Sequence, residues 1–390
     1  MDYSAISEST NGKLIPIKGT DGRHGDFACF AYLPDPLPND LRLESATWSA
    51  VSTASAALAR LDQECKRLRD PQLLIRPALW REALDTSALE GTYGQLSELL
   101  ESELPGSAYQ SPEISEISAY VDAARGAFKA VQSRPITVGL LCEAQSEMFK
   151  QSQKPPLSLG EIRNHQVWIG EANSSIDNAR FVPVPGNDLL KSGIDQFIEW
   201  IERDNDLPPV LRVAMAHYQF ETLHPFSDGN GRIGRLIIIL QLLRSGAVQE
   251  PAITVSPWFR RNQIEYQNQL LRLSTTGDWD TWIRFFCTAV TEQSFSLING
   301  AEALERWLNS ATEVVVKKRW VGSIHEVLKD LTEWPVLTVA STAKKYELTA
   351  VAASRIINHL CEANILTETT GGTYGRRFEA TGVVKIVDQI

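Results

Sequence analysis

Apolar positions along this chain recur mostly in steps of three and four. Leu43, Thr47, Val51, Ala54, Leu58, Leu61, Cys65 and Leu68 keep that spacing and predict an amphipathic helix over 43–68, ended by Pro71. Helical pattern resumes over 73–100, with Pro77 read as sitting near a helix start, where its missing N–H is tolerated, and Gly91 as a break. Ile114, Ile117, Val121, Ala124 and Phe128 predict a helix over 113–131, and another covers 138–150, closed by Pro155 and Pro156. Leu189, Leu190, Ile194, Phe197, Ile198 and Ile201 share a face over 188–203, and a further helix follows over 208–223. The run 236–243 is apolar all round, as in a helix buried on every side. Trp279, Trp282, Ile283 and Phe286 read as core packing on a closing helix, and Leu297, Ala301, Leu304 and Leu308 carry the pattern towards 331 as a connector pair.

The helical rhythm breaks in three places. Residues 1–40, rich in Gly, Pro, Asp and Asn, predict an irregular lead-in over the surface, with one short extended piece at Cys29. Val167–Trp168–Ile169 and the stretch from Phe181 flank a polar turn over 173–178 and predict a β-hairpin. Near the C-terminus, helices over 338–345 and 350–363 precede two strands about Gly371 and Gly372. The expected class is mainly α, divided as 1–110, 111–292, 293–330 and 331–390.

Composition narrows the reading. With 390 residues, 43% of them apolar, the chain supports a large core. Its 38 basic and 48 acidic residues leave a net charge of −10, which argues against a general nucleic-acid binder. Five scattered cysteines without a Cys-x-x-Cys pair suggest neither a disulfide framework nor a zinc site, and fit reduced thiols in a cytoplasmic protein. No signal peptide is expected from Met-Asp-Tyr-Ser-Ala, and the most apolar run is too short to span a membrane.

The densest chemistry lies in 224–235, His-Pro-Phe-Ser-Asp-Gly-Asn-Gly-Arg-Ile-Gly-Arg, a loop that ends on the start of the apolar helix. Unpaired N–H groups and the helix dipole favour an anion there. His224 is a base with an ordinary pKa near neutrality. Asp228 is a hard oxygen ligand suited to Mg²⁺. Gly229 and Gly231 allow close approach to a phosphate, Asn230 offers an amide, and Arg232 and Arg235 share a face as two guanidinium forks.

This string resembles the Fic-family signature His-x-Phe-x-(Asp/Glu)-(Gly/Ala)-Asn-(Gly/Lys)-Arg-x-x-Arg, with every fixed position matched. The resemblance implies a Fic-fold helical core with a β-hairpin flap, and transfer of AMP from ATP to a Ser, Thr or Tyr hydroxyl of a target protein or of the chain itself. It implies His224 as the base, Asp228 as the Mg²⁺ ligand, and a nucleotide held along Gly229, Asn230, Gly231, Arg232, Ile233, Gly234 and Arg235. Gly231, where the Doc toxin has Lys, leaves room for the β- and γ-phosphates. Thr86-Ser-Ala-Leu-Glu90-Gly91 resembles the family's inhibitory motif, which implies that Glu90 pairs with Arg235 and blocks ATP. Gly170 and its neighbours, with Phe181-Val-Pro-Val-Pro, resemble the flap that docks a target by strand addition over about 160–185. Tyr266 resembles the adenine-pocket tyrosine, while Gln267 replaces a second Tyr common in relatives. His165 and His217 read as structural.

The order of elements after 331 resembles a winged helix. Its 350–363 helix carries one Arg, Arg355, and the wing carries Arg376 and Arg377, so DNA contact has little cationic support. Two other readings share these residues: AMP removal at the same site, and a DNA-binding regulator that senses nucleotide. A homodimer is compatible with either.

Overall fold

The computed structural model describes residues 3–7, 9–68, 70–104, 111–171, 173–203, 206–371 and 375–390. The chain is mainly helical. A short helix α1 (Tyr3–Ser7) leads into an antiparallel pair, β1 (Gly12–Asp21) and β2 (Gly25–Pro34). Helices α2 (Ser45–Arg67), α3 (Gln72–Leu89), α4 (Leu96–Ser102), α5 (Pro112–Val131) and α6 (Val138–Met148) come next. The irregular flap follows, then α7 (Asp188–Glu202), α8 (Pro209–Leu223), α9 (Asn230–Arg244), α10 (Ser256–Arg261), α11 (Gln263–Thr276) and α12 (Trp279–Lys317). The C-terminal unit comprises α13 (Ile324–Asp330), β3 (Val336–Thr338), α14 (Val339–Lys345), α15 (Ala350–Glu362), β4 (Thr367–Glu368), β5 (Arg377–Glu379) and α16 (Thr381–Val387), with strands in the order β3-β5-β4.

The core forms around α9, where Leu236, Ile237, Ile238, Ile239 and Leu240 are all buried. Each such side chain contributes about 1.5–3 kcal/mol by leaving water. Helices α3, α5, α6 and α8 enclose it. Trp282 of α12 is buried as well, and its indole N–H donates to the Ala214 carbonyl at 2.9 Å, tying α12 to α8. Along the other side of α12 runs α2, whose buried Val51, Ala54, Leu58, Leu61 and Cys65 follow the expected register.

Several expectations need correction. The lead-in is no irregular wrap: β1 and β2 pair over ten residues each. Ile15, Ile17, Phe27, Cys29 and Ala31 pack with Ile176, Ala179 and Val182 of the flap. Pro16 escapes the usual ban because the far edge of β1 has no partner strand among the described residues, so no ladder bond is lost. Pro77 lies inside α3, not at its start. Leu189, placed on the apolar face of α7, is 41% exposed. Among the described residues the flap arms meet in one antiparallel bridge, Ile169 with Phe181, instead of a hairpin ladder. The second arm turns to β2, where the Tyr32 N–H donates to the Val182 carbonyl at 2.8 Å. The boundary expected at 292/293 falls within α12, a continuous helix of 39 residues. Gly372 of the expected wing turn lies outside the described residues, and β3 and α16 were not foreseen.

Candidate active site

His224 ends α8 in the left-handed region, at φ 50°. A side chain is strained there, and surrounding bonds must fix it. Its N–H donates to the Phe220 carbonyl at 3.0 Å. Arg163, buried in the flap, donates from Nε to the His224 carbonyl at 2.8 Å, and its other nitrogens reach the carbonyls of His165, Val184 and Leu223. The imidazole Nδ1 lies 3.3 Å from the Glu221 carbonyl, which holds the proton on Nδ1 and leaves Nε2 with a free lone pair. Burial, helped by the Arg163 charge, lowers the His224 pKa to about 4, so the ring is a neutral base at physiological pH.

The loop then turns into α9 through Gly229, at φ 83°. The Asn230 side chain accepts from the Phe226 N–H and donates to the Phe226 carbonyl, both at 2.8 Å. The loop thus takes the oxygen and one of the two N–H groups of that amide, which leaves one side-chain N–H of the donor expected of Asn230. Ile233 is buried in the core. Gly234 serves helix packing, since a Cβ there would fall 2.3 Å from Glu221 Oε1. Both residues, expected to hold the nucleotide, are packed within the helix core by these contacts.

The two arginines differ. Arg235 donates from Nε to Thr86 Oγ1 at 2.7 Å and from Nη2 to the Thr86 carbonyl at 3.1 Å and Glu90 Oε1 at 2.6 Å. Burial works against the Glu90 carboxylate, yet the Arg235 charge and hydrogen bond leave its pKa below the ordinary range. Glu90 caps α3, and Gly91 leaves the helix at φ 88°. Thus the end of α3 delivers both Thr86 and Glu90 to one guanidinium. A Cβ on Gly231 would lie 2.1 Å from Glu90 Oε1, so the carboxylate fills the space above that glycine. Arg232 stacks its guanidinium over Phe149 at 4.5 Å, and its Nε and Nη1 are buried without partners among the described residues.

A cleft of about 840 Å³ opens beside the motif. It brings together Glu90, His224, Gly231, Arg235 and Tyr266, with Ile169 and Phe181 of the flap above; Asp228, Gly229, Asn230, Arg232, Ile233 and Gly234 do not line it. Tyr266 stacks on Phe259 with ring centroids 4.3 Å apart, and its hydroxyl meets His217 Nε2 at 2.7 Å. His217 Nδ1 lies 3.2 Å from the Gly234 carbonyl. Burial lowers the His217 pKa to about 3, as befits a neutral structural ring. Asp228 projects outward, 60% exposed, with Oδ1 accepting the Gly229 N–H at 2.6 Å. Among the described residues no three His, Cys, Asp or Glu side chains converge to hold a metal alone. A single outward carboxylate fits Mg²⁺ that draws its remaining ligands from phosphates and water.

Residues 48–129 match the Fic/DOC family N-terminal model and residues 135–242 the Fic/DOC family model. By these two segments the chain belongs to the Fic/DOC family. The Fic/DOC N-terminal segment contains Glu90, and the second contains the whole 224–235 motif. A protein adenylyltransferase Fic of Drosophila grimshawi is 29% identical over 252 residues, covering 62% of this chain and 45% of that protein. Protein adenylyltransferase fic-1 of Caenorhabditis briggsae is 25% identical over 248 residues, covering 59% and 45%. The chain thus spans less than half the length of these Fic relatives. In structure, a Fic family protein from Desulfovibrio desulfuricans superposes with a TM-score of 0.54 at 18% identity, over 89% of this chain and 98% of that one. Fic-1 (residues 134–508) of C. elegans gives 0.52 at 21%, over 66% and 74%. Both likenesses concern the Fic fold.

Three contributors to the Fic site escaped the sequence reading. Arg163 joins the flap to the end of α8 through four backbone carbonyls. Gln145 accepts the Gly160 N–H at 2.6 Å and donates to the Asp228 carbonyl at 3.3 Å, tying flap to loop. Glu221 lines the cleft. None has a spacing signal; each acts through a contact between distant segments.

Proposed function

We propose that this chain is a protein adenylyltransferase that moves AMP from ATP to a side-chain hydroxyl, and that Glu90 keeps it at rest. The observation that carries the reading is the Glu90 carboxylate seated over Gly231 and bound to Arg235. An anion already occupies the place where the motif would take a phosphate, and it uses the same guanidinium.

When Glu90 withdraws, Arg235 and the bare nitrogens of Arg232 hold the β- and γ-phosphates, aided by the N-terminus of α9. Tyr266 borders the base. Asp228 would hold Mg²⁺, whose charge neutralises the phosphates when bound. His224 Nε2 takes the proton of the target hydroxyl as its oxygen attacks the α-phosphorus. The bond from the α-phosphorus to the oxygen bridging it to the β-phosphorus breaks, and pyrophosphate leaves. A target segment lies along the flap, most of it on the first arm, because β2 already pairs with the second. The thiols of Cys65, Cys142, Cys287 and Cys361, with no disulfide among the described residues, fit a reducing compartment such as the cytoplasm.

The DNA-binding reading gains nothing from the wing. Arg376 lies 3.4 Å from Glu368, and Arg377 pairs with Glu101 of α4. Intact-mass spectrometry of the Glu90→Gly protein with ATP and Mg²⁺ tests the proposal. Addition of one or more AMP groups is expected; an unchanged mass on the chain and on every protein of a cell extract would refute it.

A further inference from the structure

Glu221 has no part in the reaction as written above, yet its position is unusual. It lies on α8 one turn before His224, and its side chain lines the same cleft as Glu90, Arg235 and Tyr266. Its Oε1 is buried and has no hydrogen-bond partner among the described residues. A carboxyl oxygen taken out of water without a donor is costly, so such an atom points to a partner that arrives later. The group cannot retreat, because Gly234 of α9 backs it so closely that a Cβ there would stand 2.3 Å from Oε1.

Its surroundings place it along the cleft. On α8 it stands between His224 and His217, whose Nε2 meets the Tyr266 hydroxyl, and it abuts Gly234, one turn beyond the Gly231 that Glu90 and Arg235 cover. Glu221 therefore lies between the phosphate end, at Gly231 and Arg235, and the Tyr266 end. A nucleotide spanning that interval carries its sugar in the middle, and a sugar offers hydroxyl donors. Burial, with Arg235 opposing and Glu90 reinforcing, raises the Glu221 pKa to about 7, so a large share is uncharged near neutrality and repels phosphate less.

Resting on the reading that a nucleoside triphosphate fills the cleft, we propose that the Glu221 carboxyl accepts hydrogen bonds from the ribose hydroxyls and selects ribonucleotides over deoxyribonucleotides.

Isothermal calorimetry on the full chain carrying Glu90→Gly, with Mg²⁺, tests this using ATP, 2′-deoxy-ATP, 3′-deoxy-ATP and ITP. At least one deoxy analogue is expected to bind about tenfold more weakly than ATP. Adding Glu221→Ala should weaken ATP and abolish that difference, and Glu221→Gln, which keeps an acceptor of the same shape, should retain part of it. Equal losses for the deoxy analogues with and without the carboxyl would overturn the inference. So would discrimination against ITP that disappears in Glu221→Ala, which would assign the group to the base. Binding of all four without discrimination removes the inference alone. Binding of none removes the adenylyltransferase reading beneath it as well. Glu221→Gln should melt close to the parent, which separates lost recognition from lost fold.

Discussion

Arg232 and Arg235 stand one turn apart on α9, and their fates are opposite. Arg235 has Thr86 and Glu90 from α3 gathered on it. Arg232 keeps two buried nitrogens without partners among the described residues, and its nearest carboxylate oxygen, on Asp228, is 3.8 Å away. A buried cation left short of acceptors is costly, so the contrast points to a site finished by an anion from outside. The difference teaches that α3 does not merely cover the motif. It satisfies one fork of a two-fork clamp and leaves the other waiting.

That comparison can be broken in graded steps. The largest effect should come from His224→Ala in the Glu90→Gly background, where loss of the base lowers self-modification by about 10³-fold. Intact-mass time courses measure it. Next, Arg232→Ala and Arg235→Ala should both cut transfer by about 10²-fold, yet differ in stability. Arg235→Ala strips Thr86 and Glu90 of their partner and should cost about 2 kcal/mol, a buried-pair loss discounted for the partial exposure of Glu90. Arg232→Ala removes an unsatisfied group and should cost less. Equal melting shifts would erase the distinction between the two arginines.

Glu90→Gly alone should raise transfer roughly 10- to 100-fold, the worth of one charge-assisted hydrogen bond. Thr86→Val should raise it about tenfold, since the hydrogen bond from the Arg235 charge to a neutral hydroxyl is worth about 1.5 kcal/mol. The smallest change is in pH dependence. His224 is depressed to about 4 from an ordinary 6.5. Between those values the unfolded chain binds more protons than the folded one, so stability rises with pH and is fully present above about 6.5. In derepressed protein the acid limb due to His224 should centre near pH 4; a limb at 6.5 would mean the ring is not buried as described.

Local spacing made much of this legible. The steps of three and four located most helices, because burying one face of a helix imposes that period. The twelve-residue motif marked His224, Gly231 and Arg235, which meet in the cleft, and the Thr86–Glu90 spacing put both side chains on one face towards Arg235. What escaped lies in contacts between distant segments. The β1–β2 pair hid behind Gly and Pro, since an edge strand tolerates both and its apolar alternation is short. Nothing in the spacing showed that Phe226 takes the oxygen and one N–H of the Asn230 amide. Ile233 and Gly234 fill the two unspecified positions between the arginines of the family string, where packing sets the residue. The core's closing helix and the connector are one rod, as the unbroken register of α12 across 292 allows, although the expected division fell there.

The account rests on Glu90 standing where a triphosphate would bind, and calorimetry with Mg²⁺ addresses that directly. Releasing the carboxylate by Glu90→Gly should tighten ATP binding at least tenfold over the native chain, with a much smaller gain for AMP, which lacks the phosphates Arg235 would hold. Equal affinity for ATP in both proteins, or no affinity in either, would contradict it.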